Sequence, residues 1–262
     1  ELVVVNDNIL IADVLQVSPG QIAPQNTASN EHIRNVVWEN NHHQKDAAST
    51  ALQGWLGITA VKVSARNNIF DVNGHPTSCE PISIAMSNTA GAPTPDDIWI
   101  TNNSIYASNT GTNMRAITTG ATTGTPTNVF LTNNAVYAPS KTNPVFNLNS
   151  GGVPCAPTLA TNSANAQITA NVPYVDSTPS VPLDYEAANY AKDGGTAVFV
   201  YDDFFRNLRT GMMDIGAVQS PQPTPPTPPS TDSGPIPSGG IPATLRVKGR
   251  TRKQVSEARQ KY

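Results

Sequence analysis

The chain has 262 residues, enough for one sizeable core, with 13% charged and 6% aromatic residues. Asn, Thr, Ala, Ser, Pro and Gly crowd the intervals between short apolar runs, which argues against a helical bundle and for many short strands joined by turns. The formal charge of −3 is uneven: up to Leu245 nine Lys or Arg face eighteen Asp or Glu, whereas beyond it seven cations face Glu257 alone. An acidic body therefore carries a basic tail. No run of about 18 apolar residues occurs, so no membrane-spanning helix is expected.

In chain order, Leu2-Val3-Val4-Val5 and Ile9-Leu10-Ile11 read as the first strands, and because the chain opens on Glu1 rather than Met an upstream part is expected to be missing. A repeat follows. Val36-Val37-Trp38-Glu39-Asn40-Asn41 is echoed by Val63-Ser64-Ala65-Arg66-Asn67-Asn68, by Ile98-Trp99-Ile100-Thr101-Asn102-Asn103 and by Val129-Phe130-Leu131-Thr132-Asn133-Asn134. Each unit is an alternating strand, an Asn-Asn corner and a second short strand. The pairs begin at 40, 67, 102 and 133, in steps of 27, 35 and 31 residues, lengths that suit one turn of a three-sided helix with loop insertions. Asn suits a tight corner because it tolerates the left-handed backbone and its amide can bond its own chain or an Asn one repeat away. Asn41, Asn68, Asn103 and Asn134 are thus expected to be structural. Carboxylates near them are too sparse for calcium, and no metal or other cofactor is expected. The stretches 77–96 and 109–126, rich in Thr, Gly, Ser and Pro, read as loops on one side, where a partner would be sought.

Later come Tyr174-Val175-Asp176, Asp184-Tyr185, Ala187-Ala188-Asn189, Asp193-Gly194-Gly195, Arg206 and Asp214-Ile215-Gly216-Ala217. This order resembles the end of right-handed parallel β-helix proteins of bacterial surfaces and phage appendages. Gln219, where the family has an acidic residue, and Phe204-Phe205, in place of a polar turn, depart from it. The resemblance implies an all-β fold: a right-handed single-stranded parallel β-helix, or solenoid, over 1–218, closed by a C-terminal cap at about 172–218. It also implies an extracellular, cell-surface or virion location and allows a homotrimer. A last coil exposes unpaired backbone and needs such a cap. Within it Arg206 or Arg209 is expected to pair with Asp214, and Gly216 to allow a close backbone approach.

The stretch 219–243 is proline-dense and reads as a polyproline spacer. In the tail 244–262, Thr251 and Gln254 have capping-box spacing, and Val255, Ala258 and Tyr262 recur at three and four residues, as in a short basic helix that needs a partner for order. Arg246, Lys248, Arg250, Arg252, Lys253 and Arg259 are the expected anchor toward another protein of a larger assembly. Aromatic-basic interleaving is absent, which disfavours nucleic acid.

For catalysis the best cluster is His42, His43 and Asp46, with Lys45 and Glu39 nearby. Asp96-Asp97 is a second candidate, although strand neighbours point to opposite faces. Cys79 and Cys155 lack metal-site spacing and are either a disulfide or two buried thiols. The expected function is a noncatalytic β-helix module, structural or adhesive, contacting glycans at a virion or cell surface. The alternative is the C-terminal part of a polysaccharide lyase or glycoside hydrolase, a tailspike-like depolymerase.

Overall fold

A computed structural model describes residues 2–12, 20–22, 33–45, 56–72, 80–84, 94–107, 115–119, 125–139, 146–147, 155–163 and 171–221. The chain divides by contact into Glu1–Gln222 and Pro223–Tyr262. The second unit lies outside the described residues, and with it the expected basic helix and Arg246, Lys248, Arg250, Arg252, Lys253 and Arg259.

Among the described residues the first unit is mostly β with almost no helix, built of parallel sheets that close no barrel. The sixteen strands among the described residues are numbered in chain order. The first sheet holds β1 (Val3–Asn6), β4 (Arg34–Glu39), β7 (Val61–Arg66), β10 (Asp96–Thr101), β13 (Thr127–Thr132) and β16 (Thr158–Ala160), in that order. The second holds β2 (Ile9–Ala12), β5 (His42–Lys45), β8 (Ile69–Asp71), β11 (Ser104–Tyr106) and β14 (Ala135–Tyr137). The third holds β3 (Gly20–Ile22), β6 (Leu56–Ile58), β9 (Ile82–Ile84), β12 (Ile117–Thr119) and β15 (Phe146–Asn147). Every third strand returns to the same sheet, and each neighbouring pair is parallel.

Three sheets agree with the three-sided turn that the repeat length suggests, but the strands of the third correct the loop assignment. Stretches 77–96 and 109–126 were expected to be loops, yet β9 and β12 lie within them; the rest of both stretches, apart from 80–81, 94–96, 115–116 and 125–126, is outside the described residues. Ile-Ser-Ile and Ile-Thr-Thr are too short to carry a period, but Ile82, Ile84 and Ile117 are fully buried. They join Val63, Ile98, Ile100 and Leu131 of the first sheet and Phe70, Ile105 and Val136 of the second in one apolar cluster. Each such side chain contributes roughly 1.5–3 kcal/mol by leaving water.

The corner between the first and second sheets is the most regular feature. Asp7, Asn40, Asn67, Asn102, Asn133 and Thr161 all have φ between 48° and 57°. The left-handed residue is thus the first of each pair, and the second builds a ladder. Asn68 donates from its backbone N and its Nδ2 to Asn103 Oδ1 (3.0 and 2.9 Å). Asn103 does the same to Asn134 Oδ1 (3.2 and 3.0 Å), and its Nδ2 also reaches Ala65 O (3.0 Å). Asn8, Asn41 and Asn134 repeat the donor pair, and Asn162 accepts the last one. The ladder has two rungs that the sequence pattern did not reveal, because Asp7-Asn8 and Thr161-Asn162 break the Asn-Asn identity. In a dry corner these bonds matter, since each unmade one leaves a buried amide without water.

Beyond Asn162 the chain turns back. Residues 172–220 do not cover only the last strands, as an end cap would; they bond to successive rungs along the corner. Tyr190 Oη meets Ser163 Oγ (2.7 Å), and Thr196 exchanges bonds with Asn133 (2.8 and 2.9 Å). Asn102 Nδ2 donates to Asp214 O (3.1 Å), Asn67 Nδ2 to Asp202 O (3.0 Å), and Arg206 reaches Glu39 and Asp7 (2.9 and 3.2 Å). Asn67, Asn102 and Asn133, each the first of its pair, supply amides that hold this return segment, whereas the buried Asn40 amide has no partner there. Tyr174, Tyr185, Ala187, Ile215 and Val218 then form a second apolar cluster with Ile69, Tyr106 and Ala135 on the outer face of the second sheet.

The expected Arg206 or Arg209 pairing with Asp214 is also corrected. Asp214 accepts from the backbone amides of Asp193 (2.6 Å) and Ser220. Buried Arg209 donates to Asn67 Oδ1, Gly216 O, Ala217 O and Gln219 Oε1 (2.9–3.1 Å), so its hydrogen bonds close the turn through carbonyls, while the carboxylates of Asp203, Asp214 and Asp202 support its charge without a direct hydrogen bond. Gly216 has φ +109°, and a Cβ there would lie 2.9 Å from Ser104 Oγ. Two 3-10 turns, Pro182–Tyr185 and Asn189–Ala191, are the only helical elements among the described residues.

Candidate functional site

The histidine pair does not assemble an acid-base site. His42 and His43 lie in β5 and alternate across the sheet. His43 points inward, stacked on Phe70 at 4.3 Å between ring centroids. Trp38 Nε1 donates to its Nε2 (3.1 Å), which puts the imidazole proton on Nδ1. His42 points outward, under the return segment and edge-on to Tyr185 at 6.2 Å. Burial pushes His42 down to about 4; burial, with some repulsion from His42, pushes His43 down to about 3. Both are neutral and shielded at neutral pH. Asp46 lies outside the described residues. Glu39 is drawn into an ion-pair chain with Arg66 (2.6 Å) and Arg206 (2.9 Å). Burial would raise its carboxyl, but the hydrogen bonds from those arginines outweigh that and hold it low.

Asp96 and Asp97 are likewise engaged. Asp96 accepts from Thr127 Oγ1 (2.6 Å) and Asn128 Nδ2 (2.9 Å), bonds that lower its pKa. Asp97, at φ 57°, accepts from Trp99 Nε1 (2.8 Å). That last bond leads to a site that the sequence reading missed.

On the outer face of the first sheet the register aligns Ser64, Trp99 and Phe130 on three successive strands. Trp99 stacks on Phe130 with centroids 4.0 Å apart and planes 18° from parallel. On the opposite side of the indole stands Ser64, too short to cover it. Adjacent strands are about 4.8 Å apart, the thickness of one more ring. The return segment forms a second wall, so that Ser64, Trp99, Thr101, Val198, Phe199 and Val200 enclose a groove of about 160 Å³. Trp99 remains 38% exposed and Phe199 80%. The Asp97 bond fixes the indole plane, so the open aromatic face is held ready rather than formed on contact. This arrangement suits stacking on an apolar ring whose rim carries hydroxyls, with Ser64 and Thr101 supplying hydroxyls beside it.

Asn41, Asn68, Asn103 and Asn134 are buried in the ladder, where each Nδ2 and Oδ1 is spent within the fold. Among the described residues no group of three or more His, Cys, Asp or Glu could hold a metal ion, and no helix is long and apolar enough to cross a membrane. Cys155 is a buried free thiol, and Cys79 lies outside the described residues.

The chain matches no family model, no curated protein and no solved structure.

Proposed function

We propose that the three sheets are the faces of a right-handed parallel β-helix, and that this unit is a noncatalytic, glycan-contacting module of a cell surface or virion. The rotation of the chain through three parallel sheets, the shared interior and the right-handed preference of parallel crossovers support the fold. The open face of Trp99 beside Ser64 carries the functional reading. An aromatic plane on a rigid sheet, rimmed by hydroxyls, recognises sugar rings through their apolar faces and needs no catalytic group. Anchoring to another protein through the basic tail, within an assembly such as a homotrimer, completes the proposal.

A panel of immobilised glycans, probed with the full chain and with Trp99→Ala, tests it. Binding of at least one glycan that falls by about tenfold or more in the variant is expected. Release of reducing or unsaturated ends from any bound polysaccharide would instead favour the depolymerase reading, and absence of glycan binding would end both.

A further inference from the structure

The groove also carries information about which sugars it admits. Its volume of about 160 Å³ is close to that of an engineered cavity, about 150 Å³, that accepts a single benzene ring. One six-membered ring fits, with the open side of the groove leaving its hydroxyls in water. The occupant is oriented by Trp99, whose only indole donor is already given to Asp97 Oδ1 at 2.8 Å. Contact with the indole is thus through its π face, which rewards C–H bonds and not an anion.

The surrounding charges point the same way. None of the six groove residues is charged. Of the nearby cations, Arg66 is paired with Glu39 (2.6 Å), and the charge of exposed Lys62 adds a minor pull on Asp96. Arg206 is shared among Glu39, Asp7 and Asp202. The body up to Leu245 carries eighteen carboxylates against nine cations, and such an excess repels a polyanion before contact.

From these observations we infer that the groove binds one neutral pyranose unit of a glycan, its apolar face against the Trp99 indole in the place an aromatic residue at position 64 would fill, and that it discriminates against uronate-bearing polysaccharides. This rests on the glycan-contacting reading above. Position 64 decides the specificity, because a small residue there leaves the gap and a ring there completes the stack begun by Phe130 and Trp99.

The test is calorimetric titration of the full chain with neutral hexamers (cellohexaose, xylohexaose, chitohexaose) and with anionic ones (oligogalacturonate, oligoalginate), at low and at high salt. At least one neutral hexamer binds, the anionic ones bind about tenfold or more weakly, and salt narrows that difference. Ser64→Phe loses about tenfold or more in affinity while its melting temperature holds or rises, since the added ring extends a stack instead of opening a hole. Trp99→Ala serves as the second variant, so that a misfolded Ser64→Phe does not end the experiment. Anionic hexamers binding as tightly as neutral ones, in a Trp99-dependent way, would overturn the inference and leave the glycan-contacting reading standing. Binding that survives both substitutions refutes the site, and no binding of any hexamer overturns both.

Discussion

The outer faces of the first and second sheets are made by the same turns of chain and end in opposite states. The second is covered: Tyr174, Tyr185, Ile215 and Val218 pack onto Ile69, Tyr106 and Ala135, and Tyr174 Oη accepts from Ile105 N and donates to Ile105 O or Ala135 O (2.9–3.1 Å). The first is open around Trp99 and Phe130. Aromatic residues on an outer face therefore have two meanings here. Where a second layer closes over them they are core, and where it only walls one side, as at Trp99, they are available to a ligand. His42 belongs to the covered face, which is why an adjacent histidine pair turns out to be structural.

The largest way to break the comparison is to remove the ladder on which both faces depend. Asn103→Ala removes the acceptor of Asn68 and the donor to Ala65 and Asn134, all buried, and is expected to cost about 4 kcal/mol in denaturant unfolding. Both faces should loosen together. Tyr185→Ala acts on one face only. It empties a fully buried site between Tyr106, Tyr174 and His42, with an expected loss of about 3 kcal/mol, proteolytic cleavage confined to 172–220 and new binding of a hydrophobic dye.

Acid is the next probe. His42 and His43 have folded pKa values of about 4 and about 3, below the unfolded value of about 6.5. Unfolded chains therefore take up protons first as pH falls. The stability of the neutral pair is fully present above about pH 6.5 and is lost progressively toward pH 3–4. Melting temperature should fall over that window. His42→Leu, which matches the Ile9 and Ile69 that flank it in register, should flatten the fall; an unchanged pH profile would contradict the burial of this imidazole. The smallest effect belongs to the open face. Trp99→Ala loses one exposed stack, about 1 kcal/mol, and if thermal melts show a much larger loss the groove is structural.

The contrast also explains what was legible in the residues alone. The Asn pairs at 40, 67, 102 and 133 repeat one identity at one structural place, so the first two sheets could be anticipated from them. The repeat length suggested a third side, but Leu56-Gly57-Ile58 and Ile117-Thr118-Thr119 have three residues each and no alternation to detect, so its strands stayed hidden. The return segment was recognised by its residues but not by its path, because Arg206 meets Asp7 across 199 positions and no local pattern encodes that contact. Trp99 was visible as a strand residue. Its open face depends on the shortness of Ser64 one strand away, a relation that exists only once the register is set.

The most direct test of this account is amide hydrogen exchange on the full chain, with and without the neutral hexamer that binds it. Protection is expected in β7, in β10 and at residues 198–200, with β8 and β11 unchanged. Protection centred on β8, β11 and residues 174–187, or spread evenly over both faces, would contradict the assignment of the open face as the one that meets the ligand.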